Sequence, residues 1–211
     1  FGPQTLFEDV SFLINSGERV GLVGKNGTGK STLFRMILGK ESYDSGTLSI
    51  PKGYRIGALE QHIHFTQPTV LKECIEALPP EKQWDHYKAE IILSGLGFSE
   101  TDFQKDPTTF SGGFQVRINL CKALLADPNM LLLDEPTNYL DILSLRWLKD
   151  YLNKWPGEMV LITHDRDFMD KVSTHTLGIH RKKAKKIKGD TLKFYELITQ
   201  EEETYEQTRV N

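Results

Sequence analysis

The sequence predicts an α/β fold that is built around a parallel β-sheet. Continuous apolar runs occupy residues 19–23, 130–133 and 159–163, and such runs are typical of strands that are covered on both faces. A stretch with helical spacing follows each run, and this alternation of strands and helices indicates a parallel sheet. Residues 69–125 have mainly helical spacing instead, which predicts a helical lobe inserted into the α/β core.

The remaining elements follow from the periodicity of the apolar residues. Further strand-like stretches lie at 7–14, 47–50 and 54–59. Helical spacing is found at 31–38, 70–78, 84–96, 111–125 and 141–152, with a short helix from Asp165 and a polar helix over 195–211.

Composition excludes several classes of protein. The chain has 211 residues and a net charge of −3, so its overall charge does not indicate a nucleic-acid partner. Its two cysteines, Cys74 and Cys121, form no C-x-x-C pair, which favours a reducing, cytoplasmic location and argues against a metal site with cysteine ligands. No apolar run is long enough to span a membrane. Because the first residue is Phe1 rather than Met, we expect a piece of a longer protein.

Residues 24–31 read Gly-Lys-Asn-Gly-Thr-Gly-Lys-Ser and match the phosphate-binding pattern G-x-x-x-x-G-K-S. Such a loop wraps a triphosphate with backbone N–H groups, and its glycines let the backbone come close. Lys30 can reach the β- and γ-phosphates, and the Ser31 hydroxyl can ligate Mg²⁺. A glycine-rich turn that binds nothing is the alternative, but the flanking strand and helix argue against it. We expect nucleotide contacts from Gly24, Asn26, Gly27, Thr28, Gly29, Lys30, Ser31 and Thr32.

Two carboxylates, Asp134 and Glu135, follow the apolar run at 130–133. Ligands of parallel α/β sheets bind at the carboxyl ends of the strands, so both side chains are expected beside the phosphate loop. Asp134 is placed to hold Mg²⁺, and Glu135 can polarise an attacking water as a general base. A solvated strand end has a similar sequence, and the phosphate loop is what favours the catalytic interpretation.

A second helix start, Ser111-Gly112-Gly113, offers a hydroxyl and unhindered N–H groups to another anion. The alternative is an ordinary helix cap, since serine is a favoured capping residue. The segment alone favours the cap.

Taken in order, the phosphate loop, Gln61, the Ser-Gly-Gly segment, the Asp-Glu pair, Asp141 and His164 resemble the ATP-binding-cassette (ABC) ATPases over nearly the whole chain. The resemblance implies a P-loop NTPase core with a parallel sheet, an N-terminal antiparallel β subdomain and an inserted α-helical signature subdomain. The core would comprise residues 1–68 and 126–195, the helical subdomain 69–125, and the start of a linker helix 196–211.

The resemblance also implies roles for single residues, with ATP and Mg²⁺ as ligands. Gln61 corresponds to the glutamine that senses Mg²⁺ and the attacking water, and His164 to the switch histidine at the γ-phosphate. Phe1 lies where the family has an adenine-stacking aromatic residue. Catalytic roles thus fall to Glu135, His164 and Gln61, and metal binding to Ser31, Gln61 and Asp134.

Two sequence departures indicate a subfamily. Phe110 and Phe114 flank the Ser-Gly-Gly segment, where the family usually has Leu and Gln, and residues 135–141 read Glu-Pro-Thr-Asn-Tyr-Leu-Asp. Together with Thr-His-Asp-Arg at 163–166 and the Gly-Asp-Thr-Leu-Lys-Phe-Tyr segment at 189–195, these features resemble the ABC-F subfamily. Its members carry two cassettes in one chain, have no transmembrane domains and act on the ribosome.

The ABC-F resemblance implies two kinds of partner. The first is a second cassette, whose signature segment would complete the ATP site head to tail, in the same chain or in a homodimer. The second is the ribosome, through rRNA or tRNA. The basic run 181–188 is either an RNA-phosphate contact or a solvated strand with lysine side chains.

Two other functions share these motifs. The ATPase subunit of a membrane transporter has the same site, although the tail and the Asn-Tyr-Leu-Asp sequence at 138–141 argue against it. A DNA-repair or chromosome-maintenance ATPase would need a long coiled coil between the two glycine-rich segments, for which this chain has no room.

Overall fold

The computed structural model describes residues 5–59 and 63–210, and these fold around one six-stranded sheet. The strand order is β2-β3-β4-β1-β5-β6. All neighbouring strands pair in parallel except β6, which runs antiparallel to β5 at one edge. The parallel α/β sheet predicted from the sequence is thereby confirmed. The strands are β1 Arg19–Gly24, β2 Ile56–Ala58, β3 Met130–Asp134, β4 Glu158–Ile162, β5 His175–His180 and β6 Lys183–Lys188.

The central strands are apolar because side chains on both of their faces are buried. Leu131 and Leu161 belong to the apolar layer on one side of the sheet, and Leu132 and Val160 belong to the layer on the other side. Successive side chains of a strand point to opposite faces, so a strand covered on both sides has no polar positions to alternate with.

Within the described residues, seven α-helices cover the sheet and form the lobe. Phe34 of α1 packs into one apolar layer, whereas Leu148 of α5 and Phe168 of α6 pack into the other. Helices α2, α3 and α4 pack on one another within the second of these layers. Their bounds are α1 Lys30–Ile37, α2 Val70–Ile75, α3 His86–Gly95, α4 Gly112–Leu125, α5 Ile142–Asn153, α6 Arg166–Val172 and α7 Thr191–Val210.

The predicted N-terminal antiparallel β subdomain needs correction. Residues 7–14 and 47–50 form no strand, and in the described part of the chain the only antiparallel pair is β5 with β6. Phe7 packs as irregular chain against the apolar layer that contains Phe34. Leu48 and Ile50 are exposed, so the alternation that predicted a strand has no face to bury.

One further strand and one helix boundary also differ from the prediction. The fifth strand, β5, was not predicted because its sequence His-Thr-Leu-Gly-Ile-His is short and polar at both ends. Helix α3 begins at His86, and Trp84, which was expected inside it, is 90% exposed.

Candidate nucleotide-binding site

The phosphate loop connects the carboxyl end of β1 to the start of α1. Gly29 is the N-cap residue of α1 with φ 96°, a left-handed conformation that glycine adopts without strain. Gly24 is closely surrounded, since a Cβ there would lie 2.8 Å from Thr28 Oγ1 and 2.9 Å from the Ile179 carbonyl oxygen. The pattern of glycines that predicted the loop therefore has a steric reason at these two positions.

Lys30 lies over the loop that it follows. Its Nζ donates to the carbonyl oxygens of Gly24 at 2.8 Å and Lys25 at 3.1 Å. Burial lowers the pKa of Lys30, while the carboxylates of Asp134 and Glu135 act in the opposite direction. The ammonium group is thus held between the loop and the two acids, where a phosphate group would meet it.

Ser31 and Asp134 meet at the base of the site. The Ser31 hydroxyl donates to Asp134 Oδ2 at 2.8 Å. Asp134 ends β3 and Ser31 lies in the first turn of α1, so the sheet brings together two oxygen groups from distant parts of the chain. A hydroxyl and a carboxylate are the kind of hard oxygen ligands that Mg²⁺ prefers.

Glu135 has a strained backbone and a fixed side chain. Its φ is 52°, a left-handed conformation that costs on the order of 1–3 kcal/mol for a non-glycine residue. The Glu135 N–H donates to the Ile162 carbonyl at 2.8 Å. Its Oε2 accepts from the His164 N–H at 3.3 Å, and its Oε1 lies 3.4 Å from His164 Nε2. Strain of this kind is typical of functional positions.

These groups line one cleft of about 380 Å³. Leu6 and Ile162 also line it and were not predicted; Ile162 lies two residues before the predicted His164, whereas Leu6 carries no such signal. Gly24 and Thr28 belong to the loop beneath the cleft, and Phe1 and Gln61 lie outside the described residues. The predicted residues in the lining are Asn26, Gly27, Gly29, Lys30, Ser31, Thr32, Asp134, Glu135 and His164.

A second cleft of about 260 Å³ has different chemistry. It lies among α3, α4 and α5 and is lined mostly by apolar side chains, including Ile92, Leu124 and Trp155. The phosphate loop and the Asp134-Glu135 pair are instead at the cleft formed by the ends of β1 and β3.

The segment Ser111-Gly112-Gly113 does not line the nucleotide cleft. Ser111 is the N-cap residue of α4, yet its side chain makes no capping hydrogen bond. Ser111 and Gly112 are both exposed. The interpretation of Ser111 as an ordinary side-chain cap is therefore not what the structure shows, and its hydroxyl and the helix start face outwards.

The two unusual phenylalanines beside this segment form an aromatic cluster. The Phe98 ring centroid lies 5.5 Å from that of Phe110 and 5.1 Å from that of Phe114, with both contacts edge-on. Phe110 and Phe114 lie 5.9 Å apart. Edge-to-face pairs at such distances are favourable, so both sequence departures stabilise the start of α4.

Asp141 acts as a structural cap. Its Oδ1 accepts from the backbone N–H groups of Leu143 at 3.0 Å and Ser144 at 2.9 Å at the start of α5. The hydrogen bond from the Ser144 backbone is the main cause that lowers the pKa of Asp141, and Arg117 adds to it.

The basic run forms the edge strand β6 and the turn before it. Lys183 lies 3.5 Å from Asp9, Lys185 contacts Glu201, and Lys186 donates to Glu18 Oε2 at 2.5 Å. Part of the positive charge that suggested an RNA contact is therefore neutralised within the chain.

Comparison with known proteins identifies a family. The family model described as ABC transporter matches residues 7–138. The chain is 33% identical to the putative ATP-binding protein YdiF of Bacillus subtilis over 231 aligned residues, covering 90% of this chain and 36% of YdiF. It is 39% identical to the energy-dependent translational throttle protein EttA of Escherichia coli over 180 residues, covering 84% of this chain and 32% of EttA.

The chain thus spans about a third of the length of these curated relatives. A solved structure of the ATP binding subunit of an ABC transporter has a similar fold, with a TM-score of 0.79 at 23% identity over 94% of this chain and 89% of that one. No helix among residues 5–59 and 63–210 is long and apolar enough to cross a membrane. The chain is also 32% identical to the probable ATP-binding protein YheS of Escherichia coli over 210 residues, covering 85% of this chain and 33% of YheS. The matches to YheS and EttA agree with the ABC-F resemblance. The chain belongs to the ABC transporter family, as an ATP-binding cassette of the ABC-F type.

Proposed function

We propose that this cassette hydrolyses ATP with Mg²⁺ in a site that is completed by a second cassette, and that closure of the pair acts on the ribosome. The observation that carries the catalytic part is the 2.8 Å contact between Ser31 and Asp134 beneath Lys30. It brings the phosphate loop and the acidic strand end into one cleft.

The residues at the base of the cleft fit Mg²⁺. This ion is usually held by one or two carboxylates together with substrate phosphates, and the Ser31 hydroxyl and the Asp134 carboxylate supply such a set. Bound there, Mg²⁺ would neutralise charge on the β- and γ-phosphates. Gln61, outside the described residues, is proposed as a further ligand from its place in the sequence.

Each remaining group has a role that its position supports. The N–H groups of the loop and of the first turn of α1 bind phosphate oxygens, and Lys30 adds a positive charge. Glu135 orients and polarises the attacking water as general base. His164 donates its backbone N–H to Glu135 and lies on the cleft wall, from which it contacts the γ-phosphate. Phe1 is proposed to stack on the adenine.

A second cassette supplies the rest of the site. Ser111 and Gly112 are exposed and do not line the cleft, so they are available to the ATP held by another molecule. A solved neighbour of similar fold, with a TM-score of 0.67, is a dimeric ATP-binding cassette in a post-hydrolysis state bound to ADP and Pi. We propose the same head-to-tail arrangement here, with Ser111, Gly112 and Gly113 on the partner's ATP.

This arrangement assigns a task to each part of the chain. Residues 1–68 and 126–195 would be the nucleotide-binding core, and residues 69–125 the helical subdomain that presents Ser111. Helix α7 extends from the sheet to Val210, and its part from residue 196 would begin the linker to the second cassette.

The cellular role is proposed from the relatives. The name of EttA describes a translational throttle, which supports ribosome coupling and a cytoplasmic location. The alternative is the ATPase subunit of a membrane transporter, favoured by the solved structure with the similar fold. ATP-dependent co-sedimentation of the Glu135→Gln cassette with ribosomes supports the first, and copurification with a membrane protein would replace it by the second.

Complementation between two inactive variants tests the shared site. Lys30→Met removes the phosphate-binding cation but leaves the Ser111 segment intact, and Ser111→Glu places a repelling carboxylate at that segment but leaves Lys30 intact. Each alone should be inactive. An equal mixture should recover between about a quarter and about half of the wild-type ATPase rate. Each mixed dimer has one intact site of two, and between half of the dimers and all of them are mixed, depending on whether either variant pairs with itself. A mixture as inactive as its components would contradict the proposal.

A further inference from the structure

Arg117 of α4 is a buried cation with an unusually complete set of partners. Only 7% of the residue is exposed. Its Nε and Nη2 donate to the Tyr139 carbonyl oxygen at 2.9 and 2.6 Å. Its Nη1 donates to the Leu96 carbonyl at 2.8 Å and to Asp141 Oδ2 at 3.1 Å. The guanidinium carbon lies 4.5 Å from the centroid of the Phe114 ring.

These contacts join three separate pieces of backbone. Leu96 is the C-cap residue of α3, Arg117 lies in α4, and Tyr139 lies in the loop that leads from Glu135 to α5. Tyr139 has φ 66°, which is unfavourable for a non-glycine residue. Two donors of a planar guanidinium on one carbonyl fix that peptide in a way that a lysine ammonium cannot match.

The loop held by Arg117 also contacts the tip of α4. A Cβ built on Gly113 would lie 3.1 Å from Tyr139 Cβ. Tyr139 is itself 66% exposed, and Ser111 and Gly112 at the start of α4 are exposed as well. The Ser111 tip and the 138–141 loop are therefore packed as one unit, and the buried Arg117 side chain holds the two parts together.

Glu135, the proposed general base, is held by contacts that do not involve Arg117. Glu135 is held through its N–H bond to the Ile162 carbonyl and through the two contacts with His164. Thr137 and Thr163 are joined by a hydrogen bond of 2.9 Å between their hydroxyls. None of these contacts involves Arg117, so its removal should disturb the α4 tip more than the cleft of its own cassette.

We propose that Arg117 is a positioning residue that holds the Ser111 tip and the 138–141 loop in the geometry required by the ATP of the partner cassette. This inference rests on the proposed head-to-tail site. It assigns to Arg117 an effect on catalysis in the partner's site and little effect in its own. A cation that only stabilises the fold would instead weaken both sites equally.

The mixture of inactive variants separates these roles. Two double variants carry Arg117→Met. In the first it is combined with Lys30→Met, so the altered chain provides only the Ser111 tip of the intact site. In the second it is combined with Ser111→Glu, so the altered chain provides only Lys30. Each double variant is mixed with the matching single variant. We expect the first mixture to lose at least about tenfold of the complemented kcat, which is the range seen when a supporting contact is removed. The second mixture should stay within about twofold of the unmodified pair.

The outcomes separate this inference from the function on which it rests. Equal losses in the two mixtures, or no loss in either, would overturn the role of Arg117 while complementation itself still succeeds. Failure of the unmodified Lys30→Met and Ser111→Glu pair would overturn the head-to-tail site and this inference together. Because Arg117→Met leaves the carbonyls of Leu96 and Tyr139 without their guanidinium donors, Arg117→Lys serves as the second variant. Urea unfolding midpoints of all chains identify any that fold poorly. Arg117→Lys should show the same one-sided loss.

Discussion

The Ser31 hydroxyl donates to the Asp134 carboxylate across 2.8 Å although 103 residues separate them in the chain. The contact forms because β1 and β3 are both parallel neighbours of β4 and therefore end at the same edge of the sheet. It joins the residue after Lys30 to the residue before Glu135, so the phosphate-binding and acidic halves of the cleft cannot be displaced independently.

Asp134→Asn should weaken the use of Mg²⁺ more than the binding of nucleotide. The amide can still accept from Ser31 but lacks the negative charge that attracts the ion. We expect the Mg²⁺ concentration for half-maximal ATPase rate to rise by at least about tenfold, measured by titrating Mg²⁺ at saturating ATP. Asp150→Asn on the exposed surface of α5 is the control. An unchanged Mg²⁺ dependence would show that Asp134 does not serve the ion.

The residues of the cleft were more predictable from the sequence than the contacts that hold them in place. The phosphate loop and the Asp134-Glu135 pair are local patterns next to apolar runs, so spacing alone placed them. The contact of Glu135 with His164 depends on the pairing of β3 with β4. That pairing places Asp134 level with Ile162, which spacing along the chain does not reveal.

Long-range contacts of single side chains were beyond prediction. The Arg117 bond to the Tyr139 carbonyl spans 22 residues and two elements, and no periodicity signals it. The N-terminal β subdomain was predicted wrongly at 47–50 because the apolar residues there alternate as they do in a strand. In the fold, Leu48 and Ile50 are exposed.

Glu73 and Lys122 form a buried ion pair whose loss should destabilise the helical lobe. Glu73 is fully buried, contacts Lys122 and accepts from the N–H groups of Thr66 at 2.9 Å and Gln67 at 2.8 Å. Glu73→Gln should lower the free energy of unfolding by about 3 kcal/mol, the lower end for breaking a buried pair, because Lys122 is partly exposed. Urea denaturation measures this loss.

A double-mutant cycle provides the control for this pair. Lys122→Met combined with Glu73→Gln should cost less than the sum of the two single variants, because no buried charge is left without a partner. Effects that add to within about 0.5 kcal/mol would show that the two side chains are not coupled.

The Glu18 carboxyl should make the free energy of unfolding depend on pH in the acid range. Burial alone would raise its pKa, but hydrogen bonds from Asn15 and Lys186 outweigh burial and lower the pKa from 4.5 to about 2. A carboxyl whose pKa is lower in the folded state stabilises the protein above its unfolded pKa and loses this contribution as the pH falls through its folded pKa.

The stability difference between wild type and Glu18→Gln should therefore be constant above pH 4.5 and shrink as the pH approaches 2. Urea unfolding at a series of pH values measures it. Glu90→Gln, at an exposed position on α3, is the matched variant. A difference between wild type and Glu18→Gln that does not change over this range would refute the assigned interaction.

The central claim, that the site is completed between two cassettes, is tested most directly by the mass of Glu135→Gln in solution with ATP. This variant keeps the shape of the general base but cannot accept the proton, so bound ATP should persist and hold two cassettes together. Light scattering after gel filtration should give a dimer with ATP and Mg²⁺, and a monomer with ADP or when Lys30→Met is added to the same chain. A Glu135→Gln cassette that binds ATP and yet remains monomeric at every protein concentration would contradict the account.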